Sequence, residues 1–269
     1  PRHPLRGRAP PTPCRENKPA AVMDLLLARR VFACIDNTTL SATDNERSVE
    51  AFCRHTMDMA AGGGGVAAVC VYPRFVAVAA KVLQGSGIRV ASVAGAFPHG
   101  QLPLELKVAE VQHAVRQGAD EVDVVISRGA LLAGDDDTVA GEVRAMKQAC
   151  DGRTLKVILE TCDLPSPTLV ARASQLAVDG GADFIKTSTG KGVAGATPES
   201  AEIMLRVIAD NVRNNNKTVG FKAAGGIREP EEALAYAILA KKIMGDKYVN
   251  SQTFRIGASS LTDNLYAAL

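Results

Sequence analysis

The sequence predicts an α/β protein, a single (β/α)8 barrel of the TIM type, and three observations carry that expectation. Eight short, β-branched apolar runs alternate with amphipathic stretches between Val31 and Leu269, without a linker. The first run ends Cys34-Ile35-Asp36-Asn37-Thr38-Thr39, with no glycine where an open dinucleotide-type sheet would favour a Gly-rich turn. Hydrophobic residues make up 46% of the 269, yet aromatics only 4% with no Trp. Val, Ile, Leu and Ala must therefore fill the core, as they do where strands are buried on both faces.

The strands are expected at Val31–Ile35, Val66–Val71, Arg89–Ala94, Glu121–Ile126, Leu155–Leu159, Phe184–Lys186, Val219–Lys222 and Phe254–Gly257. Between them, Leu104, Val108, Val111 and Val115 form a helical stripe that Gly118 ends. Asp135–Asp137, acidic as a helix start favours, open a second through Val139, Val143, Met146 and Cys150. Ser166-Pro167 opens a third, running to Gly180, with Pro in the first turn. Thr197-Pro198-Glu199 opens a fourth through Met204 and Ile208, and Pro230-Glu231-Glu232 a fifth through Leu234 and Ile238. Gly118-Ala119-Asp120 and Gly181-Ala182-Asp183 repeat one device, a glycine helix stop followed by Asp before a strand. The Gly62–Gly65 run reads as a mobile loop before the second strand.

Charge is uneven along the chain. Residues 1–30 hold seven basic groups against Glu16 and Asp24, leaving 24 basic and 27 acidic groups in the remainder. A mildly acidic body argues against nucleic acid as a partner, since backbone binding needs a clustered basic face. Residues 1–22 are read as a basic, Pro-rich flexible extension, short of the Ser content and amphipathic period of a transit peptide. Residues 23–269 form the barrel domain, and Met23 could be an internal start. Nothing approaches the roughly 18 apolar residues that span a bilayer, so no membrane is expected. Cys14, Cys34, Cys53, Cys70, Cys150 and Cys162 include no CxxC pair, and several sit in apolar runs. They read as free thiols in a reducing compartment, the cytoplasm. His55, His99 and His113 are scattered and His3 lies in the tail, so no metal site is expected.

Barrel chemistry sits at the C-terminal ends of strands. The polar residues there are Asp36, Asp123, Glu160, Lys186 and Lys222, with Lys156 further back on the fifth strand. A lysine closing a buried strand is unusual, because its ammonium needs water or a partner. One alone would be read as snorkelling or ion-paired. Two on the neighbouring sixth and seventh strands converge on one mouth, where cations depress one another's pKa and free an amine nucleophile. Asp123 interrupts an apolar run, either as a structural partner for a lysine or as a proton relay, and the two are compatible. Ser188-Thr189-Gly190-Lys191, Ala224-Gly225-Gly226-Ile227-Arg228 and Gly257-Ala258-Ser259-Ser260 follow the last three strands. Glycine lets backbone N–H groups approach an anion there, which favours a phosphorylated substrate over ordinary turns.

From Val31 to Leu261 these segments resemble the 2-deoxyribose-5-phosphate aldolase family. The resemblance rests on Ile35-Asp36-Asn37-Thr38-Thr39-Leu40, Ala68-Val69-Cys70-Val71-Tyr72-Pro73, Phe97-Pro98-His99-Gly100 and Gly118-Ala119-Asp120-Glu121-Val122-Asp123. It continues through Leu155-Lys156-Val157-Ile158-Leu159-Glu160-Thr161, Asp183-Phe184-Ile185-Lys186-Thr187-Ser188-Thr189-Gly190-Lys191, Gly220-Phe221-Lys222 with Gly225-Gly226, and Phe254-Arg255-Ile256-Gly257-Ala258-Ser259. It implies a class I aldolase of deoxyribonucleotide breakdown that needs no cofactor or metal. The enzyme would cleave 2-deoxy-D-ribose 5-phosphate reversibly to acetaldehyde and D-glyceraldehyde 3-phosphate. Lys186 would form the Schiff base, Lys222 would lower its pKa, and Asp123 would relay protons through water. Asp36 would sit at the mouth near the substrate hydroxyls. Thr189, Gly190, Lys191, Gly225, Gly226, Arg228, Gly257, Ser259 and Ser260 would hold the sugar phosphate. Cys70 resembles a cysteine that aldehydes trap in relatives, with a plain core thiol as the other reading.

Four departures stand out. Ala223 replaces the usual Pro, Asn37 a common Leu or His, and Cys162 a Gly, and no C-terminal Tyr tail is present. A homodimer is the assembly left open. Two other functions compete with this one: a different lysine-dependent aldolase, and a catalytically idle barrel that senses a sugar phosphate.

Overall fold

The structure, a computed structural model, describes residues 24–60 and 64–269. The basic extension, Met23 and part of the Gly62–Gly65 run lie outside the described residues. Eight parallel strands close into a barrel in sequence order: β1 (Ile35–Thr38), β2 (Ala68–Val71), β3 (Arg89–Ala94), β4 (Glu121–Val125), β5 (Thr154–Ile158), β6 (Phe184–Lys186), β7 (Gly220–Ala224) and β8 (Phe254–Ala258). The expected barrel is therefore present, with strand boundaries shifted by one or two residues in most cases.

The first strand needs a larger correction. Val31 and Phe32 close a helix, α1 (Leu25–Phe32), instead of opening β1. Asp24 caps it by accepting from the N–H groups of Leu26 and Leu27, and Leu27, Ala28, Val31 and Phe32 form its buried face. The other helices are α2 (Glu46–Ala60), α3 (Val76–Val82), α4 (Leu104–Arg116), α5 (Arg128–Leu132), α6 (Asp136–Ala149), α7 (Pro167–Asp179), α8 (Pro198–Asn215), α9 (Pro230–Met244) and α10 (Leu261–Ala268).

The expected helix starts are capped as their residues dictate. Asp135 accepts from the Thr138 N–H, Ser166 from the Leu169 N–H, and Thr197 with Ser200 and Glu229 with Glu232 form reciprocal capping boxes. The stripe on α9 is the exception. Leu234 is buried, but Ile238 faces solvent, and the packed face runs through Ala233, Tyr236, Ala237 and Ala240. The repeated Gly-Ala-Asp device has a second purpose. Asp120 accepts from the Val90 N–H at 2.9 Å and Asp183 from the Leu155 N–H at 2.7 Å, so each Asp pins the start of the preceding strand.

The interior of the barrel departs from the aliphatic layers that composition predicts. Val122, Val124, Leu155, Val157, Ile185, Phe221 and Ile256 face the helices and fill the large outer core. Inside, Asp36, Glu121, Asp123, Lys156, Lys186, Lys222 and Arg255 are all buried, beside a small apolar cluster of Ala68, Cys70, Ala91, Val93 and Leu40. Contacts between non-neighbouring strands, such as Lys222 on β7 with Asp36 on β1, can form only across this interior. Two glycines make room for it. A Cβ at Gly257 would come within 2.9 Å of Lys222 Cε, and one at Gly220 within 2.3 Å of the Phe184 ring. The Arg255 guanidinium lies over that ring, 5.4 Å from its centroid. Among the described residues, no helix is long and apolar enough to cross a membrane.

Candidate active site

The site is built in two levels. Below lies a buried ionic network, joined from its outer end by Arg89, which donates to Glu121 at 3.2 Å. Lys156 Nζ stands 2.7 Å from Asp123 Oδ1, 2.7 Å from Glu121 Oε2 and 3.4 Å from Asp36 Oδ2. Arg255 donates to Asp36 at 2.5 Å and to both oxygens of Glu121 at 2.6 and 3.0 Å. Lys222 bridges Asp36 at 2.5 Å and Asp123 at 2.8 Å. Lys186 tops the network, with Nζ 2.8 Å from the same Asp123 oxygen. Strand register explains the stacking: Lys186 pairs with Lys222 across β6 and β7, and Asp123 with Lys156 across β4 and β5. Among the described residues, no buried side-chain nitrogen or oxygen lacks a hydrogen-bond partner.

The charges do not balance. Four buried cations (Lys156, Lys186, Lys222 and Arg255) meet three buried carboxylates (Asp36, Glu121 and Asp123), and the partly exposed Arg89 also pairs with Glu121 at 3.2 Å. If all were ionised, the interior would hold one uncompensated positive charge, which burial penalises heavily. The directions of the pKa shifts place most of that penalty on Lys186. Burial, helped by Lys222, pulls Lys186 below the ordinary lysine value despite Asp123. Burial opposes the charge of Lys222 as well, but Asp123 and Asp36 outweigh it and raise its pKa. Lys156 is likewise raised, by Asp123, Glu121 and Asp36 against burial. For Asp123, burial is overturned by Lys156, Lys186 and Lys222, which hold it well below the usual carboxylate range. The mutual depression expected of two lysines is thus one-sided. Lys222 is held above the ordinary lysine value, and Lys186 below it.

Above Lys186 opens a cavity of about 400 Å³. Residues 189–191 after β6, 224–228 after β7, 257–259 at the end of β8 and 38–41 after β1 line it. Thr189, Gly190, Lys191, Gly225, Gly226, Arg228, Gly257 and Ser259 therefore share one wall with Lys186. Gly225 is indispensable to that wall. Its φ of +85° is left-handed, and a Cβ there would come within 2.9 Å of Gly195 Cα. Ser260 is not among the lining residues; it is exposed at the N-cap of α10.

Asp36 and Cys70 lie elsewhere than expected or beneath the cavity. Asp36 is not at the mouth: it is fully buried in the ionic network, bound to Lys222 and Arg255. Cys70 packs in the interior apolar cluster, and burial with Asp123 pushes its thiol up to about 11. Sequence reasoning assigned no role to Arg255 and Glu121. Both were readable as charges inside otherwise apolar strands, the same signal that drew attention to the lysines. Among the described residues, no group of three or more His, Cys, Asp and Glu side chains is placed to hold a metal ion.

A buried lysine of lowered pKa thus stands at the floor of a barrel mouth, opposite glycine-rich loops. The chain belongs to the DeoC/LacD family of aldolases, whose family model matches residues 30–264. It is similar in structure to a candidate deoxyribose-phosphate aldolase from Coccidioides immitis, at 29% identity and a TM-score of 0.77, over 90% of this chain and 86% of that one. The deoxyribose phosphate aldolase of Aeropyrum pernix, described as a unique tetramer, matches at 26% identity and a TM-score of 0.72, over 90% and 91%. A candidate deoxyribose-phosphate aldolase from Toxoplasma gondii, at 23% identity, shares the fold with a TM-score of 0.80 over 90% and 95%.

The one-sided coupling makes a prediction. In Lys222→Leu, Lys186 loses a neighbouring cation, while Asp123 loses one of three partners and turns more fully to Lys186. Both changes raise the pKa of Lys186. The rate of amine capture by an aldehyde, followed against pH, moves its rising limb to higher pH, whereas an unmoved limb would contradict the coupling.

Proposed function

We propose that this chain is a class I aldolase that cleaves 2-deoxy-D-ribose 5-phosphate reversibly to acetaldehyde and D-glyceraldehyde 3-phosphate through a Schiff base on Lys186. The observation that carries this reading is the place of Lys186 at the cavity floor, 2.8 Å from Asp123, where burial pulls its pKa below the ordinary lysine value. Lys186 attacks the aldehyde carbon, and loss of water leaves an iminium whose positive charge Asp123 already faces. Removal of the C3 hydroxyl proton, relayed by Asp123 through water, sends the C2–C3 bonding electrons toward the iminium and releases the three-carbon aldehyde. Protonation of the resulting enamine at C2 and hydrolysis return acetaldehyde and the free lysine. Lys156 and Lys222 return Asp123 to its ionised form between proton transfers.

In this reading the glycine-rich wall holds the phosphate. Gly190, Gly225 and Gly226 take left-handed φ values of +75°, +85° and +79°, a backbone that can turn N–H groups toward an anion. Thr189, Lys191, Arg228, Gly257 and Ser259 surround them, and Ser260 adds the positive end of α10. Asp36 serves by holding Lys222 in place, and Cys70 forms part of the interior beneath the reacting amine. The free thiols of Cys34, Cys53, Cys70, Cys150 and Cys162 fit a reducing compartment, the cytoplasm in this reading.

Turnover of 2-deoxy-D-ribose 5-phosphate, followed by enzymatic reduction of the released aldehydes, tests the proposal. Equimolar acetaldehyde and glyceraldehyde 3-phosphate are expected, with unphosphorylated 2-deoxyribose cleaved at a much higher KM. Binding of the sugar phosphate without cleavage would favour a sensor instead.

A further inference from the structure

We propose that Glu160 is a positioning residue that fixes the anion-binding side of the cavity. It lies just beyond β5 with its backbone in the left-handed region, φ +52° and ψ +64°, a conformation unfavourable for a residue that carries a Cβ. Its side chain is 1% exposed. A buried carboxyl on a strained backbone must be held by what it binds, and its partners belong to the cavity wall.

Both carboxyl oxygens accept from the Thr189 N–H at 3.3 Å, and one also accepts from the Thr189 hydroxyl. That hydroxyl in turn accepts from the Lys191 N–H at 3.0 Å, and Lys191 Nζ donates to the Leu40 carbonyl at 2.7 Å. On the opposite side, Arg128 stands 4.0 Å from Glu160, pairs with Asp163, and donates to the carbonyls of Pro98 and His99 at 3.2 and 3.0 Å. The Cys162 thiol donates to Glu160 at 3.7 Å. One carboxyl thus ties together the segments that follow β1, β3, β4, β5 and β6. This belt is separate from the lysine network below: none of these contacts reaches Lys186 or Asp123. Glu160 does not line the cavity, but Thr189, Lys191 and Leu40 do. Its effect on a ligand therefore passes through them.

The inference rests on the reading that this wall takes the phosphate, and the test separates the two. Glu160→Ala and Glu160→Gln are titrated with inorganic phosphate, and acetaldehyde capture on Lys186 is timed in parallel. Glu160→Ala is expected to weaken phosphate about tenfold, the scale of one lost anchoring hydrogen bond to a charged group. It should raise the KM for the sugar phosphate alongside, with kcat and the capture rate within about twofold of the parent. Glu160→Gln, which keeps one acceptor oxygen, falls between, and it alone decides the matter if the alanine variant does not fold. Unchanged phosphate affinity in the variants, equal losses in phosphate affinity and capture, or a parent protein that does not bind phosphate would each overturn the role. A parent that binds phosphate but captures no acetaldehyde would overturn the Schiff-base reading instead, and the phosphate affinities would still judge Glu160.

Discussion

Replacing Lys156 by methionine destabilises the barrel by about 3–5 kcal/mol at neutral pH, the cost of stripping a buried ion pair of one partner. Methionine fills similar space, so the loss is electrostatic. Asp123 and Glu121 each lose a contact of 2.7 Å, and Asp36 one of 3.4 Å, at a fully buried site. The pH dependence follows from the sign of the shift. The folded pKa of Lys156 is raised, so its contribution is complete below the unfolded lysine value and is lost only as pH rises through the higher folded value. Chemical denaturation at neutral pH therefore sees all of it. Glu121 and Asp123 work in the opposite sense. Their folded pKa values are depressed, so their contribution is present above the unfolded carboxylate value and is lost as the solution is acidified through the folded one. A Lys156→Met protein as stable as the parent would mean that the network is not held by charge.

Lys186→Leu removes turnover, by roughly 10⁴-fold or more, as loss of a covalent nucleophile does, and it leaves the fold as stable as before or more so. The first half follows because Lys222 and Lys156, the other amines near the cavity floor, have raised pKa values and stay protonated and bound to carboxylates. The second half follows from the charge count. Lys186 is one of four buried cations that face three carboxylates, and burial holds its folded pKa below the ordinary one. At neutral pH the unfolded chain binds that proton more readily than the folded chain does, so the residue works against folding. Its removal relieves the strain while Asp123 retains Lys156 and Lys222. Two lysines that touch the same carboxylate are thus expected to differ in kind: one serves stability, the other chemistry at stability's expense. Denaturation midpoints and steady-state rates of the two variants, measured side by side, check both halves.

The architecture was legible because its signals are local. Proline after Ser or Thr marked α7 and α8, the paired Gly-Ala-Asp strings marked two helix-to-strand turns, and short β-branched runs marked strands buried on both faces. Val31 and Phe32 were misread because two apolar residues before Cys34 and Ile35 look like strand, whereas the Asp24 cap and the spacing of Leu27 and Ala28 make them helix. The candidate site was legible where a charge closed an apolar strand, as at Lys186 and Lys222, which the barrel brings to one carboxylate. What the residue string could not provide was depth. Asp36, just past the expected first strand, looks like a mouth residue, but β1 runs Ile35–Thr38, so Asp36 is its second residue and lies inside the barrel against Lys222 and Arg255. Nor could it show the sum of charges in one closed space, because Glu121, Lys156 and Arg255 lie far apart in sequence and meet only across the barrel. Glu160 was visible as a strand-end carboxylate, but its left-handed backbone and its grip on Thr189 are properties of the folded loops.

Intact mass after incubation with acetaldehyde and borohydride, followed by peptide mapping, tests Lys186 as the reactive amine. One added ethyl group is expected, carried by the peptide that contains Lys186, and none in Lys186→Leu. An ethyl group on Lys222 or Lys156, or no adduct in a folded protein that still binds sugar phosphate, would contradict that role.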